Sequence, residues 1–238
     1  MEMHQQREDD EMTQHNLNPQ SPFFHEERHA TLAPHTKQLI TICGAGTLGA
    51  NLCETLARMG FTHLRVIDKD RIEARNLSGQ PYSRAEIGAP KARALANMLY
   101  RAVQAKVEPQ AIELTAKNAS QLLAKSAIVV DAFDNAPSRA IVSQTAQAAN
   151  LPCLHIGFSP DGLYGNGIWE PHYQIPQAIP GDPCDYPLTR PLALTLTALA
   201  ARAITDYLRH GQTHSFELTW TDLKIHYQAD ENSSEGAG

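Results

Sequence analysis

The 238-residue chain lacks any apolar run approaching the ~20 residues of a membrane span. Its first thirty residues, rich in Gln, His and acid, lack the apolar centre of a secretory signal. Its four cysteines form no close pair, which by spacing excludes both a disulfide framework and a four-cysteine zinc site. Basic charge is not in excess: 20 Lys and Arg against 26 Asp and Glu leave a formal charge of -6, which argues against a general grip on nucleic acid. There is no internal repeat. What remains, with 42% apolar and 19% charged residues, is the composition of a soluble, cytoplasmic globular protein. The length suits one domain with an elaboration.

Between two polar ends, residues 1–30 and 230–238, both read as mobile tails, apolar periodicity alternates between that of strands and that of helices. The tail residues Phe23 and Phe24 could dock onto the rest. Strands are expected at Lys37–Cys43, His63–Asp68, Val107–Leu114, Ala127–Ala132 and Leu151–Phe158. Helices are expected at Thr47–Met59, ending at Gly60, then from Pro90 to about Ala105, at Asn118–Lys125 and at Ala136–Ala149. Leu163–Glu170, Ser215–Trp220 and Asp222–Tyr227 read as further strands around a helix, Pro191–Leu208, with Thr189 as its cap. Its stripe of Leu192, Leu196, Leu199 and Ala203 suits core packing or a dimer face, not a membrane surface. The fold class is α/β: a Rossmann-like, doubly wound, mostly parallel sheet with a C-terminal β/helical elaboration, forming a single domain over residues 31–229.

Gly44-Ala45-Gly46-Thr47-Leu48-Gly49 lies between the first strand and the first helix, where a loop turns tightly, its N–H groups approach a phosphate, and a helix N-terminus faces the anion. Asp68 ends the second strand, where a carboxylate either accepts from a ribose diol or caps a turn. To this point NAD and ATP are equally allowed. Next come Asp68-Lys69-Asp70, Asn76-Leu77, Gln80, Ile87-Gly88-Ala89-Pro90-Lys91-Ala92 and, after the fourth strand, Asp131-Ala132-Phe133-Asp134-Asn135. A lysine just inside a helix neutralises phosphate, and a carboxylate at the sheet edge can hold Mg²⁺.

These five motifs, in this order, resemble the ThiF/MoeB and ubiquitin-activating-enzyme superfamily over about residues 37–170. The resemblance implies an adenylation domain that uses ATP and Mg²⁺ to activate the C-terminal glycine carboxylate of a ubiquitin-like or sulfur-carrier protein. It implies that Asp68 binds ribose, Lys91 binds phosphate, and Asn76 and Gln80 line the phosphate pocket. Asp134 would ligate Mg²⁺, and Gly44, Gly46, Thr47, Leu48, Gly49 and Asp70 would complete the nucleotide site. A homodimer and a conjugating enzyme as partner are implied too. Short bacterial-looking members with a loop cysteine resemble the activating enzymes of conjugation operons, including those of antiviral defence. No zinc is expected.

One departure concerns charge: the family usually has an arginine directly before the glutamine, where this chain has Gly79. Arg71, Arg75 and Arg84 are nearby substitutes. Arg28 stands where members draw an arginine from a partner subunit. Cys43, Cys53 and Cys153 fall within apolar elements and read as core. Cys184 lies in a proline-rich loop, about 176–190, with Asp182 and Asp185 beside it. It is either an inert turn residue or, as in the conjugating branch, the nucleophile that takes the acyl group as a thioester. Eleven histidines offer only His25 and His29 at a suggestive spacing, which suits solvated residues better than a metal site. Two alternatives remain at this stage: adenylation of a small molecule or tRNA, and a nucleotide-binding scaffold without turnover.

Overall fold

A computed structural model describes residues 18–28, 35–176, 187 and 189–229. Among these, eight strands form one sheet. They are β1 (Ile40–Cys43), β2 (Leu64–Ile67), β3 (Val107–Gln110), β4 (Ile128–Asp131), β5 (Cys153–Phe158), β6 (Tyr164–Trp169), β7 (His214–Thr219) and β8 (Lys224–Ala229). Their order is β3-β2-β1-β4-β5-β6-β7-β8. The first five are parallel, and β6, β7 and β8 join antiparallel. The helices are α1 (Thr47–Arg58), α2 (Lys91–Val103), α3 (Ala119–Leu123), α4 (Ala136–Ala148) and α5 (Arg190–His210).

The apolar runs that defined the strands are buried on both faces, as a parallel sheet requires. Ile40, Ile42, Ile128 and Val130 join the side covered by Leu52 and Leu56 of α1, Leu95 and Leu99 of α2, and Leu192 and Leu196 of α5. Cys43, Val129 and Cys153 face the other way, onto Leu123 of α3 and Val142 of α4. The sheet is therefore doubly wound, and the stripe on α5 is core. No helix among the described residues is long and apolar enough to cross a membrane.

Two expectations need correction. The third strand stops at Gln110 rather than Leu114, because its partner β2 ends at Ile67 opposite Gln110, and Leu114 turns inward to the α3–α4 core. Nor is all of residues 1–30 a tail: Phe24–Glu27 form a helical turn, and the Phe23 ring lies against Gly60, where an added Cβ would stand 3.5 Å from its Cγ. Thr189 does occupy the N-cap of α5, but its side chain makes no capping bond.

Strand order reverses between β1 and β4, so the loops leaving their C-terminal ends diverge and open a crevice there. The glycine loop follows β1, and Asp131-Ala132-Phe133-Asp134 follows β4.

Candidate active site

The loop after β1 is shaped by three glycines with different duties. Gly44 takes φ +100°, and a Cβ there would stand 2.9 Å from the Ala132 carbonyl oxygen, so the two switch-point loops can touch only without it. A Cβ on Gly49 would fall 2.0 Å from the Gly44 carbonyl oxygen. Gly46 has an ordinary φ of -76° and nothing within 4 Å of a would-be Cβ. Among the described residues nothing in the packing requires glycine there. Its bare Cα leaves open the N-terminus of α1, which carries no side-chain cap, so the first-turn N–H groups stay available to an anion. Leu48 is buried in the core and offers only its backbone.

Asp68 fastens this loop to β2. Its Oδ2 accepts from the Ala45 N–H at 2.6 Å and its Oδ1 from the Asp70 N–H at 2.7 Å. Tyr82 Oη donates to the Ala45 carbonyl at 2.9 Å. Burial pushes the Asp68 carboxyl up from its ordinary range, against the pull of the two amides and of Lys91. Lys91 opens α2, where its N–H donates to the Asp70 carbonyl and its buried Nζ lies 3.6 Å from Asp70 Oδ2. The loop, Asp68, Asp70 and Lys91 thus form one group.

The Asn76–Gln80 turn is held by Asn51, whose Nδ2 donates to the Thr47 carbonyl (2.6 Å) and to the Gly79 carbonyl (2.7 Å). A Cβ on Gly79 would lie 3.0 Å from Thr47 Oγ1, so a larger residue would crowd the loop. Asn76 is only half available, since its Oδ1 accepts the Glu73 N–H in a cap of the turn. Gln80 is buried, and its Oε1 has no hydrogen-bond partner among the described residues. Buried acceptors are normally satisfied, which marks this corner as shaped for something else.

Two of the substitute arginines are otherwise occupied, Arg71 donating to the Gly88 carbonyl and Arg75 pairing with Glu73, while Arg84 is exposed in the short turn Arg84–Glu86. The cation that reaches Gly79 is Arg190, 111 residues downstream, whose Nη1 donates to the Gly79 carbonyl at 3.3 Å. Arg28 lies over the Phe24 ring in the segment docked at Gly60, at the opposite end of α1 from the loop.

Asp134 is exposed, and among the described residues its carboxylate accepts one hydrogen bond, from Asn135 Nδ2 at 3.3 Å. Behind it lies a cluster that sequence reading missed. Asp131 Oδ1 accepts the Phe133 N–H, while Oδ2 lies 2.8 Å from His155 Nδ1 and 3.5 Å from Arg139 Nη1. His155 Nε2 is 2.9 Å from Glu170 Oε1, and the His155 ring stacks on Tyr173 at 3.6 Å. Burial opposes the Arg139 charge, but Asp131 and Tyr173 more than compensate. The available signal was a polar His inside the apolar run Leu151–Phe158.

Cys43, Cys53 and Cys153 are buried, and burial raises all three thiols. None is a nucleophile candidate. Cys184 lies outside the described residues. No group of three His, Cys, Asp or Glu suited to a metal occurs among the described residues.

A family model described as the ThiF family matches residues 14–166. The SAMP-activating enzyme E1 of Haloferax volcanii is 30% identical over 148 residues, covering 61% of this chain and 51% of that protein. The sulfur carrier protein adenylyltransferase of Thermus thermophilus is 34% identical over 118 residues, covering 48% of this chain and 43% of the other. The chain thus spans about half the length of these curated relatives. Among solved structures, E. coli MccB with ATP aligns at a TM-score of 0.71 and 18% identity, covering 89% of this chain and 72% of that one. That likeness is one of fold.

Proposed function

Because the chain belongs to the ThiF family, we propose that it is an ATP-dependent adenylyltransferase acting on the C-terminal carboxylate of a ubiquitin-like or sulfur-carrier protein. The observation that carries this reading is the uncapped start of α1 beneath Gly46, flanked by Lys91 and Asp68 at the switch point. Two relatives bear names of that activity, for a sulfur carrier protein and for SAMP.

In the proposed reaction a carboxylate oxygen of the carrier bonds to the α-phosphorus, the bond to the β-bridging oxygen breaks, and pyrophosphate leaves with the electron pair. The loop amides and Lys91 face the charge that moves onto the phosphates, and their placement before reaction is what lowers the barrier. Asp68 accepts from the ribose diol. Asp134 offers one exposed carboxylate with unused lone pairs. That donor suits Mg²⁺, which takes one or two carboxylates and completes its shell with phosphate and water. Such an ion supplies charge neutralisation, and Asp134 would hold it.

Cys184 extends the proposal. If its thiolate attacks the acyl-adenylate, a C–S bond forms, the bond to the phosphate oxygen breaks and AMP leaves, giving a thioester for a conjugating partner. The acidic neighbours Asp182 and Asp185 oppose thiolate formation, so this step rests on position alone. Homodimer formation and a cytoplasmic setting belong to the same reading.

The test is exchange of labelled pyrophosphate into ATP with a carrier ending in glycine. Exchange should require the carrier and fall ~10²–10³-fold in Lys91→Ala. Exchange that persists without any protein carrier would favour a small-molecule substrate, and tight ATP binding without exchange a scaffold. A thiol-sensitive carrier adduct on a non-reducing gel should vanish in Cys184→Ala.

A further inference from the structure

The charges around the loop do not balance for a triphosphate. Lys91 is the buried cation of the site, yet it sits 3.6 Å from Asp70 and within electrostatic reach of Asp68. These three groups together are net negative. A triphosphate adds several more negative charges, which a Mg²⁺ ion on Asp134 would offset only in part, so a further cation beside the loop strengthens binding. Arg71 and Arg75 are committed to Gly88 and Glu73.

Arg190 is placed differently. It is the first residue of α5, a 21-residue helix, and it is exposed. Among the described residues its only hydrogen bond is to the Gly79 carbonyl. That carbonyl also takes the Asn51 amide that grips Thr47, so Arg190 is tethered to the side of the loop where α1 begins. The start of α5 is held over this edge of the sheet by a tight contact: Gly162, in the β5–β6 turn, takes φ +69°, and a Cβ there would overlap the Pro187 carbonyl. Next to Gly79 stands Gln80 with its buried, unpartnered Oε1. Two helix starts, an unpartnered amide oxygen that calls for a donor and a guanidinium with unused N–H groups thus meet at one corner.

From this arrangement, and resting on the nucleotide reading above, we infer that Arg190 binds the phosphates of the nucleotide. Gly79, where an added Cβ would crowd Thr47, serves as the anchor that aims it. An arginine from the far end of the chain supplies the charge that residue 79 does not. A guanidinium suits this place because one N–H can remain on the carbonyl while the others turn to phosphate oxygens. Docking of α5 would then be coupled to nucleotide binding.

The experiment is titration calorimetry of the full chain with ATP and, separately, adenosine, for wild type, Arg190→Ala and Arg190→Lys, with thermal unfolding alongside. Charge-assisted bonds to phosphate predict ATP affinity lower by roughly tenfold or more in Arg190→Ala, and unchanged adenosine affinity. Arg190→Lys should recover part of the loss. Added ATP should raise the unfolding midpoint of wild type more than that of Arg190→Ala. Unchanged ATP affinity in Arg190→Ala overturns the inference. So does an equal loss for ATP and adenosine accompanied by a lower midpoint without ligand, which would make Arg190 a brace for α5. Wild-type protein that binds neither ligand overturns the nucleotide reading itself, a separate failure.

Discussion

Two polar centres occupy neighbouring strand ends and follow opposite rules. In the cluster behind β4 and β5, valences are used up: Asp131 accepts from Phe133 and faces His155 and Arg139, His155 lies between two carboxylates, and Glu170 also takes Ser143 and Gln147. In the glycine-loop centre, valences are left over. The helix start is uncapped, Gln80 Oε1 lacks a partner, and Asp134 and Arg190 each touch one neighbour among the described residues. A saturated buried network fixes backbone, whereas an unsaturated one holds binding capacity in reserve. The two centres also join, since Asp131 shapes the turn that presents Asp134 to solvent.

The difference is open to test by removing one member from each centre. Asp131→Asn strips the charge facing both His155 and Arg139 and should cost about 3–5 kcal/mol of unfolding free energy in urea, as for other broken buried pairs. Nucleotide affinity should fall less steeply, because the amide oxygen of the substituted side chain can still accept the Phe133 N–H. A loss below about 1 kcal/mol would mean that the cluster is not a fixed network.

A finer contrast lies within the loop. Gly49→Ala drives a methyl onto the Gly44 carbonyl, 2.0 Å away, and should destabilise by about 1–3 kcal/mol or more. Gly46→Ala meets nothing and should leave stability within about 0.5 kcal/mol. It should nevertheless weaken ATP binding by at least about tenfold, since the methyl covers the amides that the anion uses. If Gly46→Ala binds ATP as wild type does, the open helix start is not the phosphate site.

The two centres were also unequally legible in the sequence. The loop centre is assembled from residues that sit just after strands or just inside helices, so a local pattern announces each: Gly44 to Gly49 after β1, Asp68 after β2, Lys91 after Pro90. The alternation of short apolar runs and helical stripes likewise revealed the doubly wound sheet. The buried cluster draws Asp131, Arg139, His155 and Glu170 from β4, α4, β5 and the end of β6, and only the sheet order makes them neighbours. Arg190 was hidden for the same reason, because the contact that gives it meaning spans 111 residues. The early end of β3 was hidden as well, being set by the length of its partner.

Asp68 tests the comparison most finely, because it stands between the two rules. It accepts two backbone N–H groups, as a structural carboxylate does, yet burial still raises its carboxyl above the ordinary 3.8. Below pH 3.8 the folded and unfolded chains both carry the proton, and Asp68 carries no ionisation penalty. As pH rises through 3.8 and on through the raised folded value, the unfolded chain releases its proton first. Stability is lost across that window and is level above it. Asp68→Asn removes the titration and disturbs one amide contact by an amount that does not change with pH. Urea unfolding of both proteins from about pH 3 to pH 7 should therefore show wild type losing stability relative to Asp68→Asn as pH rises. That slope would place Asp68 with the loop centre, a charge kept at some expense to the fold for the sake of a ligand. The reverse slope would mean that the Ala45 and Asp70 amides and Lys91 outweigh burial, and would move Asp68 into the saturated class with Asp131.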